Sequence, residues 1–318
     1  MRIHHLNCGT TRPLGGRLVS GAARPLVFAR QVCHCLLIET GDGLVLVDTG
    51  FGLGDTAHPE RLSRRFRFYS RPVLDPDETA ARQVVRLGYS VDDVRHIVLT
   101  HLDVDHAGGL EDFPNARVHL SAAELDAARR PLTAQERFRY HAAQWAHGPD
   151  WVPHSATGDT WFGFSAVRDL PGLPPSILLI PLAGHTRGHL GVAIDTGDDD
   201  TGGDGDGGSQ RWLVHAGDAY FNHRQMEREP SSPPFLTLFQ SLLQADRTTR
   251  VHNLNRLNEL ALDGEADVFC AHDGFELDRA QASPITGAEG RRKGGRAGER
   301  TPALPMRAEA REHVDSDQ

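Results

Sequence analysis

Residues 100–109 read Thr-His-Leu-Asp-Val-Asp-His-Ala-Gly-Gly and come directly after an apolar run at residues 97–99. Four side chains that can bind a metal ion therefore lie within six positions: His101, Asp103, Asp105 and His106. A straight strand would divide such side chains between its two faces, whereas a loop leaving the end of a strand can turn them toward one point. Imidazole and carboxylate together suit divalent ions such as zinc, iron or manganese. Alone, the motif also fits a polar loop with helix-capping aspartates.

Three more candidate ligands stand farther along the chain, each after an apolar run. His185 lies in the sequence GHTRGH, Asp218 in AGDAY and His272 in CAHDG. These residues occupy equivalent positions, at the ends of predicted strands. The repetition favours a metal site over the polar-loop interpretation.

The order of these motifs resembles that of the metallo-β-lactamase superfamily, which includes glyoxalase II-type thioesterases and N-acyl homoserine lactonases. The family pattern is H-x-H-x-D-H, then a G-H-T-type histidine, a bridging aspartate and a late histidine. The similarity covers roughly residues 32–273. It implies an α/β protein, a four-layer αβ/βα sandwich with a two-metal site at one edge of two facing sheets.

The resemblance also implies a role for each ligand position. It implies three ligands for the first metal ion: His101, Asp103 and His185. It implies three for the second, Asp105, His106 and His272, with Asp218 bridging the two ions. His189 and Asp48 are expected just outside the ligand set, where Asp48 would orient a ligating histidine.

One position departs from the family pattern, because Asp103 stands where the family carries its second histidine. A carboxylate adds negative charge and would weaken the Lewis acidity of the first metal ion. Zinc is the default for both ions, with iron or manganese as alternatives. Flavodiiron proteins resemble this variant, since they carry Glu at the corresponding place and bind iron. They also carry a flavodoxin domain, for which there is no room after Gln281, and this argues against a diiron redox protein.

The predicted function is that of a metallo-hydrolase in which a metal-bridging hydroxide cleaves a lactone, ester or thioester of a small molecule, with an acyl homoserine lactone as the leading specific substrate. Asp105 is predicted to orient the nucleophile or to pass a proton to the leaving group. In the lactonases a tyrosine three residues after the bridging aspartate hydrogen-bonds the substrate carbonyl. That position is Phe221 here, so Tyr220 is the candidate for this role. The alternatives are a phosphodiesterase or nuclease and a non-catalytic binding protein on the same scaffold.

The chain is predicted to contain one catalytic domain, residues 1–280, followed by a disordered tail at 281–318 that is rich in Gly, Arg, Glu and Pro. Residues 131–165 are predicted to be an insert that covers the site. Residues 55–75, rich in Arg and Pro, are expected to form a surface loop or lid. Ser121 and Glu124 match a capping box at the start of a helix.

Composition and net charge limit the classes of partner and the cellular compartment that we expect for this protein. The 318 residues carry 34 Lys and Arg against 43 Asp and Glu, a formal net charge of −9, which disfavours nucleic acid as a partner. Four scattered cysteines predict a reducing compartment, and the chain shows no secretory signal and no apolar stretch of membrane-spanning length. We therefore expect a cytoplasmic protein that acts on a small molecule, and the sequence predicts no oligomeric state.

Overall fold

The computed structural model describes residues 1–21, 27–155, 158–165, 170–197 and 212–282. The predicted disordered tail lies outside the described residues, apart from residues 281 and 282 at the end of the last helix. No helix within these ranges is both long enough and apolar enough to cross a membrane.

Within those ranges the strands are β1 (Arg2–Thr11), β2 (Gln31–Thr40), β3 (Gly43–Val47), β4 (Val94–Val98), β5 (Arg117–Ser121), β6 (Asp150–His154), β7 (Thr160–Trp161), β8 (Phe164–Ser165), β9 (Ile177–Pro181), β10 (Leu190–Asp195), β11 (Trp212–His215) and β12 (Ala266–Phe269). The α-helices are α1 (Arg17–Ser20), α2 (Leu53–Ala57), α3 (Arg64–Ser70), α4 (Ala80–Arg86), α5 (Val104–Ala107), α6 (Ala122–Arg129), α7 (Ala134–Arg139), α8 (Pro234–Leu243), α9 (Arg247–Leu262) and α10 (Gly274–Ala282). Short 3-10 turns lie between several of them.

Two large sheets form the centre of the molecule. One has the order β1-β2-β3-β4-β5-β6, antiparallel as far as β3 and parallel from β3 to β6. The other has the order β12-β11-β10-β9, with β12 and β11 parallel and the other pairs antiparallel. The β7–β8 hairpin forms a separate two-stranded sheet.

The alternation of side chains along the strands produces three buried layers. In β2, Leu36 and Ile38 face the second sheet and pack in one cluster with Leu179 and Val192. Their neighbour Leu37 points the other way, into a cluster that includes residues of α4 and α6. The far face of the second sheet packs on α9. The order is therefore helices, sheet, sheet, helix, and the predicted four-layer α/β sandwich is confirmed.

One predicted loop is ordered as helices. Residues 55–75 include most of α2 and all of α3, where a surface loop was expected from their Arg and Pro content. Ser63 caps α3 by accepting a hydrogen bond from the backbone of Phe66, and the Phe66 ring packs edge-on against Phe51. Tertiary packing of one apolar side chain stabilises a helix that its composition alone does not predict.

Candidate metal centre

The seven predicted ligands lie at one edge of the sandwich, just beyond the ends of strands. His101 and Asp103 follow β4, and Asp105 and His106 lie in α5, the short helix that continues from the same loop. The others follow strands of the second sheet: His185 after β9, Asp218 after β11 and His272 after β12. Loops from both sheets therefore meet at this edge, which explains how residues so far apart in sequence form one site.

The first group of side chains is His101, Asp103, His185 and Asp218, whose candidate ligand atoms all lie within 4.8 Å of one another. Oδ2 of Asp103 is 3.4 Å from Nε2 of His101 and 3.2 Å from Nε2 of His185. Oδ2 of Asp218 is 3.4 Å from the same nitrogen of His185. Two imidazoles and two carboxylates thus enclose a space that matches a four-coordinate divalent ion.

The second group is Asp105, His106 and His272. The Nε2 atoms of the two histidines are 3.3 Å apart, and Oδ2 of Asp105 is 3.8 Å from Nε2 of His272. Oδ1 of Asp218 lies 3.3 Å from His106 and 3.1 Å from His272. Because its Oδ2 atom faces the first group, Asp218 presents one oxygen to each group.

The hydrogen bonds around these residues indicate that a cation belongs between them. Nε2 of His101 and Oδ1 of Asp218 are buried without a hydrogen-bond partner among the described residues. Nδ1 of His272 bonds the carbonyl of Val32 at 2.8 Å, and Nδ1 of His106 bonds Asp48 at 2.8 Å. A histidine that donates its Nδ1 proton in this way keeps the Nε2 lone pair free for a metal ion. The site fits a pair of divalent ions.

The ionisation of His185 and Asp218 supports the same conclusion. Burial lowers the pKa of His185 to about 4, with a contribution from the nearby Arg139, so the imidazole is neutral and able to ligate. Burial opposes ionisation of Asp218, but His272 and His106 outweigh it and hold the pKa of this carboxyl well below its ordinary value.

His189 is not one of the converging groups. Its Nδ1 atom bonds the carbonyl of Leu182 at 3.1 Å, and its Nε2 atom accepts a hydrogen bond from the backbone of Asp218 at 2.8 Å. It therefore supports the loop that carries Asp218. The sequence analysis also expected His189 just outside the ligand set.

Glu124 is a buried polar residue that the sequence analysis misinterpreted. The predicted capping box is not formed, since Ser121 accepts from the backbone of Ala123 while the Glu124 carboxylate points elsewhere. Its oxygens accept from the backbone of Leu102 (3.1 Å) and Gly188 (3.0 Å), and from the hydroxyls of Tyr140 (3.0 Å) and Thr186 (2.7 Å). Glu124 thus ties the loop of His101 to the loop of His185.

Arg139, at the end of α7, also reaches the site and was not found from the sequence. Its Nη1 atom lies 2.5 Å from Oδ2 of Asp103 and 2.8 Å from Nε2 of His185. The helix that carries Arg139 lies within residues 131–165, the predicted insert. The one sequence signal for such a residue is the extra carboxylate at Asp103, which calls for a nearby cation.

The structure contradicts the role expected of Tyr220. Its side chain is fully buried, and its hydroxyl lies 2.8 Å from Glu276 and 3.2 Å from the carbonyl of Val268. The next residue, Phe221, faces the site instead and stacks on His272 at a centroid distance of 5.3 Å. The chain turns at Gly217 before this segment, so the face on which each side chain lies is decided by the turn.

A cavity of about 360 Å³ opens onto both ligand groups. Asp103, Asp105, His185, Asp218 and His272 form its polar end. Its walls are mainly aromatic and aliphatic side chains from α3 and α8: Phe66, Phe68, Tyr69, Phe235, Leu236, Leu238, Phe239, Leu242 and Leu243. A molecule that binds here would place a polar group at the ligands and an apolar group along the walls.

Comparison with known proteins shows similarity to one family, to two relatives in sequence and to a solved structure. The family described as "Metallo-beta-lactamase superfamily" matches residues 29–272. The "Probable metallo-hydrolase Rv2300c" of Mycobacterium tuberculosis is 41% identical over 275 residues, 86% of this chain and 80% of that protein. The "N-acyl homoserine lactonase AiiA" of Bacillus thuringiensis subsp. kurstaki is 25% identical over 179 residues, 56% of this chain and 64% of that protein. A crystal structure of an N-acyl homoserine lactone hydrolase, with N-hexanoyl-L-homoserine at its catalytic metal centre, shares the fold with a TM-score of 0.60 at 20% identity, covering 87% of this chain and 95% of the other.

Proposed function

Since the chain belongs to the metallo-β-lactamase superfamily and is a metallo-hydrolase, we propose that it cleaves the ester, lactone or thioester bond of a small molecule that carries an apolar group. The observation that carries this proposal is the position of both ligand groups at the polar end of one apolar cavity. The leading specific substrate is an acyl homoserine lactone, the substrate class named for two of the similar proteins.

We propose that His101, Asp103 and His185 hold one divalent ion and that Asp105, His106 and His272 hold the other, with Asp218 shared. Two such ions would supply a nucleophile from water at neutral pH and polarise the scissile carbonyl. The donors are nitrogen and oxygen, which suits zinc, and iron or manganese are the alternatives to be tested.

The protein's own residues would bind the substrate and transfer a proton during the reaction. Asp105 lines the cavity and its side chain is 16% exposed, so one of its carboxylate oxygens can meet the substrate and take or return a proton. The walls from α3 and α8 would exclude water from the apolar part of the substrate.

We further propose that residues 1–280 act as one catalytic domain and that the insert at 131–165 encloses the site. The contacts of Arg139 with Asp103 and His185 support this role of the insert. The four cysteines are free and buried, which supports a reducing compartment such as the cytoplasm.

The test is a substrate panel assayed on protein whose metal content has been measured. The panel contains an acyl homoserine lactone, a thioester, an aryl ester and a phosphodiester. We expect turnover of at least one carbonyl substrate, and loss of that turnover together with the metal after chelation and in Asp218→Ala. Cleavage of the phosphodiester alone would assign a phosphodiesterase instead, and full turnover by metal-free Asp218→Ala would overturn the metal-dependent scheme.

A further inference from the structure

We propose that Arg139 is a positioning residue of the metal centre, whose guanidinium balances and orients Asp103 so that a carboxylate can serve at this ligand position. This inference rests on the proposed function, since it assumes that Asp103 holds a metal ion. Arg139 and Asp103 then form one unit in which neither residue can be exchanged alone.

The geometry of the pair is that of a buried, charge-assisted hydrogen bond. The Arg139 side chain is 7% exposed and that of Asp103 is 18% exposed, and Nη1 lies 2.5 Å from Oδ2. The other terminal nitrogen of Arg139 donates to the carbonyl of Leu243, at the end of α8. Two separate acceptors therefore define the plane of the guanidinium, which a lysine ammonium would not reproduce.

The helix that carries Arg139 is itself anchored beside the site. Thr133 and Glu136 form a capping box at the start of α7. Glu136 also accepts a hydrogen bond from Arg187, with a distance of 3.1 Å between Oε1 of Glu136 and Nε of Arg187. Arg187 lies two residues after His185. The insert is thus connected both to the loop of a ligand and to the apolar wall, and this connection holds Arg139 in place.

The charge balance explains why the pair belongs together. With histidine at position 103, the ligand set would carry the negative charges of Asp105 and Asp218 alone. Asp103 adds another, and the guanidinium of Arg139 cancels it within hydrogen-bond distance. Removing one member of a buried ion pair leaves an uncompensated charge, which is strongly unfavourable.

The substitution Asp103→His would leave the positive charge of Arg139 without its partner. In Asp103→His, Arg139 would face two imidazoles and a metal ion with no carboxylate to bind. Without the Asp103 carboxylate, the positive charge of the guanidinium beside His185 would be uncompensated and would disfavour a cation at this nitrogen. The histidine should therefore bind metal only when the arginine is removed as well.

The experiment is a double-mutant cycle on the full chain loaded with zinc, using Arg139→Gln, Asp103→His and the double variant. Zinc stoichiometry and affinity are measured by competition with a chromophoric chelator. We expect Arg139→Gln to lose about 10- to 100-fold in affinity at one of the two sites, in line with the loss of a residue that orients a ligand. Asp103→His should lose at least as much, because it leaves the guanidinium charge uncompensated. The double variant should recover most of this loss, and Arg137→Gln, an exposed change on the same helix, should bind zinc normally.

Two results would overturn the inference. One is unchanged affinity at both sites in Arg139→Gln, and the other is a double variant that binds zinc no better than Asp103→His. If Arg139→Gln does not fold, the comparison of the double variant with Asp103→His still decides. Because the measurement is of zinc, a wild-type protein inactive on every substrate of the panel would defeat the proposed function and leave this result standing.

Discussion

Oδ2 of Asp48 lies 2.8 Å from Nδ1 of His106, and this contact joins the end of β3 to the helix that carries two of the proposed ligands. Asp48 also accepts hydrogen bonds from the backbone and the hydroxyl of Thr100, at 2.8 and 2.7 Å. It adopts a backbone φ of 55°, a region that Asp and Asn occupy more readily than other side chains. One buried carboxylate thus orients a ligand and the loop that leads to the other ligands.

The first prediction concerns Asp48→Asn. Asparagine can keep the same backbone conformation and the bond from the backbone of Thr100, but its amide nitrogen cannot accept the proton on Nδ1 of His106. We expect metal affinity at one site to fall by about 10- to 100-fold, with the fold retained. Chelator competition with circular dichroism as the fold control measures this, and Asp42→Asn in the exposed β2–β3 turn is the matched control. Unchanged affinity would show that Asp48 has no orienting role.

The second prediction concerns Tyr69, which lines the cavity together with the ligands. Its hydroxyl makes no hydrogen bond to the described residues, and its ring packs on Phe66 and Phe239. Burial and the carboxylates of Asp105 and Asp103 raise the pKa of this phenol, so it stays protonated and can donate to a substrate oxygen. Tyr69→Phe should lower kcat/KM by about 5- to 10-fold, the size of one hydrogen bond, without loss of metal.

Tyr89→Phe is the control for this change, since Tyr89 lies away from the cavity beside Glu39. If Tyr69→Phe loses metal in the same proportion as activity, Tyr69 supports the metal centre and does not contact the substrate.

The residues that converge at the candidate metal centre could be predicted from the sequence, whereas the residues that support them could not, for a physical reason. Each ligand follows an apolar run, because strands end at the edge where the site lies, and local order therefore reveals the set. Glu124 and Arg139 act across elements that are distant in the chain, and a helix-capping pattern even suggested a local role for Glu124. For Tyr220 and Phe221, the chain changes direction just before them, at Gly217, whose φ is 53°. The alternation of side chains along β11 therefore could not predict which of the two faces the site.

The third prediction follows from the exposed end of the cavity wall. Phe68 is 74% exposed, Leu238 58% and Leu242 68%, so the apolar lining continues to the surface. A long acyl chain would cover these side chains, whereas a short one would end inside the cavity. Leu238→Ser should raise KM for a decanoyl substrate by several-fold, in line with about 25 cal/mol per Å² of buried apolar area, and leave a butanoyl substrate unaffected.

Leu262→Ser, on the exposed side of α9, controls for a general effect of removing a surface leucine. An equal rise in KM for both chain lengths in Leu238→Ser would show that the apolar wall does not bind the acyl chain.

The fourth prediction concerns Glu276, the buried partner of Tyr220. Its Oε1 lies 2.8 Å from the Tyr220 hydroxyl and its Oε2 accepts from the backbone of Cys270 at 2.8 Å. Burial raises the pKa of Glu276 from its ordinary value of 4.5 to about 8. The protonated acid fits this environment, since it can donate to Tyr220 while Tyr220 donates to the carbonyl of Val268.

The sign of the pH dependence follows from these values. Below the ordinary pKa the carboxyl is protonated in both states and contributes no penalty. Between about pH 4.5 and 8 the unfolded chain loses this proton while the folded protein keeps it. The free energy of unfolding should therefore fall with rising pH by roughly 1.4 kcal/mol per unit in this window, and the loss should level off above it.

Glu276→Gln isolates this contribution. Glutamine can donate to Tyr220 and accept from Cys270 without a titrating proton, so it should remove the pH dependence of this one group. Urea unfolding of both proteins at pH 5, 7 and 9 gives the difference in stability at each pH, in which all other titrations cancel. We expect this difference to grow in favour of the variant from pH 5 to pH 8. In this range the free energy of unfolding of the wild type falls, because its unfolded state releases a proton that the folded protein keeps. A difference that is independent of pH would mean that Glu276 is already ionised in the folded protein.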